Sequence, residues 1–388
     1  MKMIWKILHL IFFLFFHSFY ENVNGQPTSS PSSQKICEKL NPVNVDLKCY
    51  YRGASIKCDE NLLPGTKVRP TCQPLHTYTD STPTYEEINC KEDGKWDKAL
   101  FSCVPDCGRP FTNAQLLIAG GVEEKIGDSP WHVAIYNEKK VLICSGTIIS
   151  PHVVVTGALC VYDGEKNAPG DANNYEVVVS KVSRDYATKD NAAQRTYKVK
   201  EIRFDEKGYE GIHSHYASDI ALLILSEKIT MGATVMPVCV DWSGTKNIPP
   251  TEGTPGKVSG WGLDAISKGN FSKTLKSANV PFISRINCAK FISNDGKAIL
   301  TRDKFCAGSK QSPTLLQGDS GGGLVFKENN HYFIRGLVSV KILPKDPIVM
   351  FTDVNDHIDW MLMVRNEVEQ DVIEKQTTIK YKNKSPQK

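Results

Sequence analysis

Residues 144–160 read Cys144-Ser-Gly-Thr-Ile-Ile-Ser-Pro-His-Val-Val-Val-Thr-Gly-Ala-Leu-Cys160. The stretch contains a run of β-branched residues, Val153–Val155, set between turn residues, and similar runs occur at Tyr175–Val179 and Gly336–Val340. Short runs of this kind, separated by Gly, Pro and Asn, are typical of antiparallel strands joined by tight connections. The sequence therefore predicts an all-β fold built from antiparallel barrels rather than from a parallel sheet.

The chain has 388 residues and a formal net charge of +4 at pH 7. This length accommodates one large domain and a small one. Because the charge is small and spread along the sequence, we expect no nucleic-acid partner. The lysines near the C-terminus are interpreted as a solvated end rather than a binding patch.

The first 25 residues have the layout of a secretory signal peptide. Lys2 and Lys6 supply positive charge, residues 7–16 are mostly apolar, and Val23-Asn-Gly25 offers small residues for cleavage. A membrane anchor is the competing interpretation, but the apolar run is shorter than the roughly 20 residues that a spanning helix needs. We therefore expect a secreted, extracellular protein without a membrane partner.

Twelve cysteines follow this segment, and an even number in a secreted chain predicts a disulfide framework. A metal site is disfavoured because no CxxC pair occurs and the histidines are not clustered near the cysteines. We expect no metal and no other cofactor. The sequon Asn270-Phe-Ser272 predicts an N-linked glycan, which suits secretion.

Composition and cysteine spacing divide the chain into six predicted segments. They are a signal peptide (1–25), a polar linker (26–36), a disulfide-rich module (37–103), a connecting peptide (104–117), a large β domain (118–365) and a disordered tail (366–388). The module has too little apolar sequence for a large core, so cross-links should stabilise it. The amphipathic stretch Asp356–Val364 predicts a helix at the end of the large domain.

Several motifs of the large domain resemble those of the chymotrypsin-like serine protease family. Besides residues 144–160, they are Ile118-Ala-Gly-Gly121, Asp219-Ile-Ala-Leu-Leu223, Gly260-Trp-Gly262 and Gly318-Asp-Ser-Gly-Gly-Gly323. The resemblance extends over residues 118–365 and implies two antiparallel six-stranded β-barrels with a C-terminal helix.

The N-terminal module resembles a second family. Cys72, Cys90-Lys-Glu-Asp-Gly-Lys-Trp96 and Cys103 look like the second half of a sushi (complement control) module. Together with the large domain, this module is similar to the arrangement in insect modular serine proteases, which act in extracellular immune cascades leading to Toll signalling or melanisation. We interpret the module as a surface for recognising a partner, the alternative being a passive spacer.

The resemblances also imply a set of disulfides. In the module, six cysteines allow 15 pairings, and the sushi pattern implies Cys49–Cys90 and Cys72–Cys103, leaving Cys37–Cys58 as an extra bridge. In the large domain the protease pattern implies three bridges: Cys144–Cys160, Cys288–Cys306 and Cys107–Cys239. The last of these would tie a regulatory chain to the protease domain after cleavage.

The catalytic residues that the resemblance implies are incomplete. Asp219 and Ser320 match two members of the Ser-His-Asp triad, but Leu159 stands where the histidine belongs. The backbone N–H groups of Gly318 and Ser320 would form the oxyanion hole. A serine hydroxyl is a poor nucleophile until an imidazole takes its proton, and leucine cannot accept a proton.

Activation and specificity positions depart from the trypsin-like pattern as well. Activation would cleave between Leu117 and Ile118, and the new amino group of Ile118 would pair with Asp319. Trypsin-activated zymogens have Arg or Lys before the cleaved bond; the leucine either suits the modular branch that this chain resembles or means that the bond is not cut. The resemblance places four residues in or beside the specificity pocket, where this chain departs from the family's usual sequence: Thr314, Ser339, Lys341 and Val349. Thr314 stands where trypsin-like members have aspartate, so a preference for Arg or Lys is not expected, and Lys341 narrows the entrance.

Three functions are compatible with these residues. We favour a secreted serine protease homologue that is proteolytically inactive and binds a protease, zymogen or recognition protein of an extracellular cascade in innate immunity. The alternative is an active endopeptidase of non-tryptic specificity, in which Ser320 works with a substitute base such as His215. The third is an abundant protein that uses the fold as a stable shell.

Overall fold

A computed structural model describes most of the chain, in two compact units that divide between Val104 and Pro105. The described residues are 35–42, 44–73, 76–78, 85–111, 122–205, 208–242, 250–262, 270–309, 319–340 and 348–369. The predicted signal peptide, residues 26–34 of the predicted linker and the predicted tail from residue 370 onward lie outside these ranges.

The chain up to the boundary between the units folds into short strands around a small core. They are β1 (Val45–Tyr51), β2 (Ala54–Ile56), β3 (Lys67–Cys72), β4 (His76–Thr77), β5 (Ile88–Asn89) and β6 (Val104–Pro105). Four of them form an antiparallel sheet in the order β2-β1-β3-β5, and β4 pairs with β6. Cys49, Leu62, Val68 and Ile88 are buried together. A core of this size needs cross-links.

The disulfides of this unit correct the sequence-based expectation. The structure forms Cys37–Cys90, Cys49–Cys58 and Cys72–Cys103. The expected pairs Cys49–Cys90 and Cys37–Cys58 are therefore wrong, whereas Cys72 and Cys103 are joined as the resemblance implies. The sheet order gives the reason. Strand β3 lies between β1, which carries Cys49, and β5, which precedes Cys90. Strands separated by one neighbour are roughly 9.5 Å apart, too far for a disulfide.

The unit beginning at Pro105 contains a closed six-stranded antiparallel barrel. After β7 (Val122–Glu123), its strands are β8 (His132–Asn137), β9 (Leu142–Ile148), β10 (Val153–Thr156), β13 (Tyr175–Val179), β14 (Arg195–Phe204) and β15 (Ala221–Leu225). A small hairpin of β11 (Tyr162–Asp163) and β12 (Ala168–Pro169) branches from it. The barrel closes in the order β10-β15-β14-β13-β8-β9. Every residue of β10 is buried, as expected for a β-branched run inside a barrel.

The second barrel follows in sequence. Its strands are β16 (Pro255–Gly260), β17 (Lys276–Ile283), β18 (Lys304–Ala307), β19 (Gly323–Glu328), β20 (His331–Val338) and β21 (Val349–Asp353). They pair in the order β16-β19-β20-β21-β18-β17, a pairing of β16 with β17 closes the ring, and β7 adds to the outside of β17. The expectation of two antiparallel six-stranded barrels is confirmed.

Short helices connect these strands. The α-helices Arg285–Phe291 and Asn294–Ile299 begin at Ser284 and Ser293, whose side chains accept hydrogen bonds from backbone N–H groups of the first turn. Single 3-10 turns occur at Ala158–Cys160, Ala172–Asn174, Gly211–Ser214 and Val354–His357.

The amphipathic stretch correctly predicts a C-terminal helix, which the structure places at residues 358–369. Residues 366–369, expected in the disordered tail, are therefore helical, and the buried Val368 extends the apolar face of the helix into them. The buried residues of the helix are Ile358, Met361, Val364 and Val368. Their spacing of three or four places them on one face, which packs in a cluster with residues of both barrels. Within the described ranges, no helix combines the length and apolar character required to cross a membrane.

Three disulfides lie in this second unit, with the pairings that the protease resemblance implies. They are Cys107–Cys239, Cys144–Cys160 and Cys288–Cys306. The bridge at Cys107 holds the beginning of the unit against β20, where the N–H of Tyr332 donates a hydrogen bond of 2.8 Å to the carbonyl of Gly108.

Candidate active site

The opening stretch of sequence builds one wall of the candidate site. Strands β9 and β10 form a hairpin whose ends are joined by Cys144–Cys160, and Leu159 lies in the 3-10 turn that precedes the second cysteine. A Cβ atom on Gly157 would lie 3.3 Å from Oδ1 of Asp219 and 3.6 Å from the Cα of Gly321. A glycine at this position therefore lets the segments carrying Leu159, Asp219 and Ser320 approach one another closely.

Asp219 is held in place without an imidazole. Its side chain is almost completely buried, and Oδ1 accepts a hydrogen bond of 2.8 Å from the backbone N–H of Leu159. The Ser339 hydroxyl donates to Oδ2. Burial raises the pKa of Asp219, and the positive charge of Lys304 and these two hydrogen bonds oppose that rise. Both carboxylate oxygens thus have partners in the absence of the triad histidine.

The leucine itself faces outward. The Leu159 residue is 43% exposed, an unusual position for a large aliphatic side chain beside a buried carboxylate. Its backbone is anchored by the bond to Asp219, and its side chain offers no proton acceptor. The structure thus places a leucine next to the aspartate, where the resemblance implies a general base.

Ser320 lies in the turn that leads into β19. Its carbonyl accepts a hydrogen bond of 3.0 Å from the N–H of Ser145, and the N–H of Gly321 donates to the carbonyl of Val338 at 2.9 Å. Gly321 has φ +77°, and a Cβ atom there would lie 2.2 Å from Oγ1 of Thr156. The turn is therefore packed tightly against the Leu159 segment, with Ser320 half-buried at its start.

The histidines near this region make other contacts. His215 is exposed, with its backbone in the left-handed region at φ 52°. In the described part of the chain, no hydrogen bond joins a histidine ring to the Ser320 hydroxyl. His152 points toward the C-terminal helix, where its Nδ1 lies 3.4 Å from a carboxylate oxygen of Glu369.

The carboxylate of Asp319 fills a niche made by two glycines. The N–H of Gly262 donates a hydrogen bond of 2.8 Å to its Oδ1. A Cβ atom on Gly260 or on Gly262 would lie 2.1 Å or 2.3 Å from the carboxylate oxygens, so only glycine fits at either position. Leu117 and Ile118, the predicted activation site, lie outside the described residues.

The structure describes some of the other predicted site residues but not all of them. Gly318, Thr314 and Lys341 lie outside the described ranges. Ser339 bonds to Asp219, and Val349 is buried among the apolar side chains of the second barrel. Asn270, the predicted glycan site, is exposed. In these ranges, no three His, Cys, Asp or Glu side chains gather in a way that could hold a metal ion.

A buried group of charges beneath Asp219 was not anticipated from the sequence. The Nζ of Lys304 lies 3.1 Å from Oγ1 of Thr352, which donates to the Asp219 carbonyl, and 3.6 Å from Oδ2 of Asp303. Nε2 of His357 lies 3.5 Å from the same Asp303 oxygen. The one available signal was an adjacent Asp-Lys pair leading into the otherwise apolar strand β18.

His357 completes this group. Its Nδ1 contacts the carboxylate of the buried Asp205. Burial alone would lower the pKa of His357, but its contacts with Asp205 and Asp303 raise the pKa above the usual range. The contact between His357 and Asp303 helps to hold the pKa of Asp303 below its usual range, against the opposing effect of burial.

The fold and this geometry define a serine protease domain of the chymotrypsin-like type, in which the resemblance implies Asp219, Leu159 and Ser320 at the triad positions. The family model described as Trypsin matches residues 118–361. The chain therefore belongs to the trypsin family.

The chain is similar to a modular serine protease, a clotting factor and a complement subcomponent. The chain is 29% identical over 305 residues to the modular serine protease of Drosophila melanogaster, covering 76% of this chain and 46% of that protein. It is 28% identical over 278 residues to Limulus clotting factor C of Carcinoscorpius rotundicauda, covering 68% and 27%. It is 27% identical over 378 residues to complement C1s-1 subcomponent of Mus musculus, covering 90% and 52%. The chain thus spans about half or less of the length of these relatives.

Proposed function

We propose that this protein is a secreted serine protease homologue without proteolytic activity, which binds and regulates components of an extracellular proteolytic cascade. The observation that carries the proposal is the position of Leu159. Its backbone N–H bonds Asp219, and its aliphatic side chain stands where a general base would have to act. Without a base, the Ser320 hydroxyl keeps its proton and is a weak nucleophile.

The expected loss of activity is large. Removing the histidine of a serine protease triad lowers turnover by up to about a million-fold, and the remaining activity comes from the oxyanion hole and substrate binding. The buried carboxylate of Asp219 has lost the imidazole that it would orient, and its bonds to Leu159 and Ser339 give it a structural role. This arrangement supports a protein that keeps the protease fold but lacks the catalytic base.

An active endopeptidase would need another imidazole in contact with Ser320. His215 is the nearest candidate in sequence to Asp219, but its ring has no carboxylate to orient it among the described residues. General-base catalysis requires both a hydrogen bond to the nucleophile and an oriented tautomer. The inactive homologue is therefore the better account.

The regulatory role is supported by the relatives. Their names place one in clotting and one in complement, and a third is a modular serine protease. Six disulfides in the described residues suit an extracellular protein. We propose that the partner is a protease, zymogen or recognition protein of such a cascade, acting in innate immunity.

The experiment that tests inactivity is labelling with a fluorophosphonate probe, which reacts with an activated serine. The purified secreted protein is compared with Ser320→Ala as background and with Leu159→His as the attempted repair. We expect the natural protein to label no faster than Ser320→Ala, and Leu159→His to label at least about a hundredfold faster because a general base typically contributes that much.

The labelling is repeated after cleavage between Leu117 and Ile118, introduced through an engineered protease site, so that an unprocessed precursor is not mistaken for an inactive enzyme. Clear labelling of Ser320 in the natural protein, in either form, would establish a substitute base and would overturn the proposal. His215→Ala, exposed and outside the barrels, serves as the matched variant that would then lose the label.

A further inference from the structure

The N-terminal unit contains a groove that the proposed function does not use. Its volume is about 910 Å³, in the upper part of the range typical of ligand clefts. Tyr50 and Tyr51 at the end of β1 line it, beside Pro64 and Gly65. The groove lies entirely within this unit.

Charged side chains form its rim. Four cations and two carboxylates line the groove: Lys35, Arg52, Lys67, Arg69, Glu87 and Glu92. Clefts lined with a surplus of one charge concentrate ligands of the opposite charge. The surplus here is positive, which favours an anionic ligand.

The register of the sheet creates one half of this rim. Tyr50 on β1 faces Lys67 on β3, and Arg69 projects from the same side because Val68 and Pro70 point inward. Glu87 accepts hydrogen bonds from Nζ of Lys67 at 2.8 Å and Nε of Arg69 at 3.3 Å. The bond to Lys67 is the main reason that the pKa of Glu87 is lowered. These three residues hold one another in place.

Arg52 forms the other half and is differently placed. Its guanidinium lies 5.2 Å from the centre of the Tyr51 ring, a cation–π distance. Its backbone is left-handed at φ 50°, which turns the chain tightly between β1 and β2. In the described part of the chain, no carboxylate lies within ion-pair distance of Arg52. Its donors are oriented by the ring and remain available to a ligand.

We propose that this groove binds an acidic peptide segment of a partner protein, with Arg52 pairing with one of its carboxylates. A guanidinium oriented on an aromatic ring suits bidentate recognition of a carboxylate. A peptide is favoured over a sulfated glycan because Glu87 and Glu92 interrupt the positive rim. A glycan that carries an anion on each sugar would meet them, whereas a peptide can present N–H donors there. The tyrosines and Pro64 provide an apolar floor for its side chains.

The test uses the full-length secreted protein and a fluorescein-labelled peptide in which glutamates alternate with glycine and tyrosine. Binding is measured by fluorescence anisotropy at low ionic strength. Arg52→Gln is compared with Lys57→Gln, which removes the same charge from an exposed position outside the groove. We expect Arg52→Gln to weaken binding at least about tenfold, as for the loss of a charged hydrogen bond, and Lys57→Gln to change it less than about twofold.

A conservative variant and a competing ligand sharpen the test. Arg52→Lys keeps the charge but loses the planar fork, so its affinity should fall between those of the natural protein and Arg52→Gln. Equal weakening by Arg52→Gln and Lys57→Gln would show diffuse charge attraction and overturn the proposal. Binding of a heparin-type oligosaccharide in place of the peptide, or binding of neither probe, would overturn it as well. Fluorophosphonate labelling of Ser320 would overturn the proposed function but bears on the protease-like domain alone, so the two proposals fail separately.

Discussion

The buried charge group beneath the candidate site makes a sharp prediction for Lys304→Met, a substitution that removes the charge and nearly preserves the volume. The Lys304 side chain is completely buried, 3.6 Å from Oδ2 of Asp303, and its charge also acts on Asp219. In an active relative an imidazole would share the aspartate's environment. In this chain Lys304 and His357 are the cations that face these two carboxylates.

The magnitude follows from the distance and the burial. At 3.6 Å a pair of unit charges attracts with about 4.6 kcal/mol at the effective dielectric of about 20 that suits protein sites. Breaking a buried pair by removing one partner typically costs about 3–5 kcal/mol because the other charge is left unpaired. We expect Lys304→Met to lower the free energy of unfolding by about that amount near neutral pH.

The stability lost in Lys304→Met should depend on pH, and the pKa of Asp219 sets the direction of that dependence. Burial raises the pKa of Asp219, and removing Lys304 should raise it further. A carboxyl whose folded pKa lies above its unfolded value becomes less favourable in the folded state as the pH rises through the folded pKa. The deficit of Lys304→Met relative to the natural protein should therefore be larger at about pH 8 than at about pH 5.

The assay is urea unfolding of the protease-like domain, followed by tryptophan fluorescence. Lys297→Met, on an exposed helix position, should change the free energy of unfolding by less than about 0.5 kcal/mol. Adding Asp303→Asn to Lys304→Met should restore most of the lost stability, because the charge left unpaired by the loss of Lys304 is then gone. A cost below about 1 kcal/mol, or an Asp303→Asn effect that adds to the loss, would refute the electrostatic reasoning.

Two further predictions concern the surroundings of the site. Burial lowers the pKa of His132 to about 4, so as the pH falls the unfolded chain takes up a proton before the folded protein does. The free energy of unfolding of the natural protein should therefore fall by about 3 kcal/mol between about pH 7 and pH 4, relative to that of His132→Gln. Matching pH profiles in urea unfolding would contradict this. Gly321→Ala should cost about 3 kcal/mol, since Gly321 has φ +77° and its Cβ would meet Thr156; an unchanged melting temperature would contradict it.

Sequence motifs were sufficient for the fold because they are local. The β-branched runs and the Gly-Asp-Ser-Gly-Gly and Gly-Trp-Gly motifs are each only a few residues long, so they could be read without knowledge of their tertiary contacts. The two barrels, which the family resemblance implied, and the terminal helix are confirmed. The substitution at Leu159 was also readable directly. The surroundings of Asp219 could not be predicted, because its partner Ser339 and the buried Lys304 are far from it in sequence.

The sequence by itself indicated the trypsin-type fold and the identities of Leu159, Asp219 and Ser320 at the positions where the resemblance implies a triad, since these follow from short motifs. Tertiary structure decided the pairing of Cys37, Cys49, Cys58 and Cys90, the charge group under the aspartate and the groove of the N-terminal unit. Each of these depends on distances between residues that are far apart in sequence. Strand order, register and burial set those distances, and several orders are compatible with one pattern of residues.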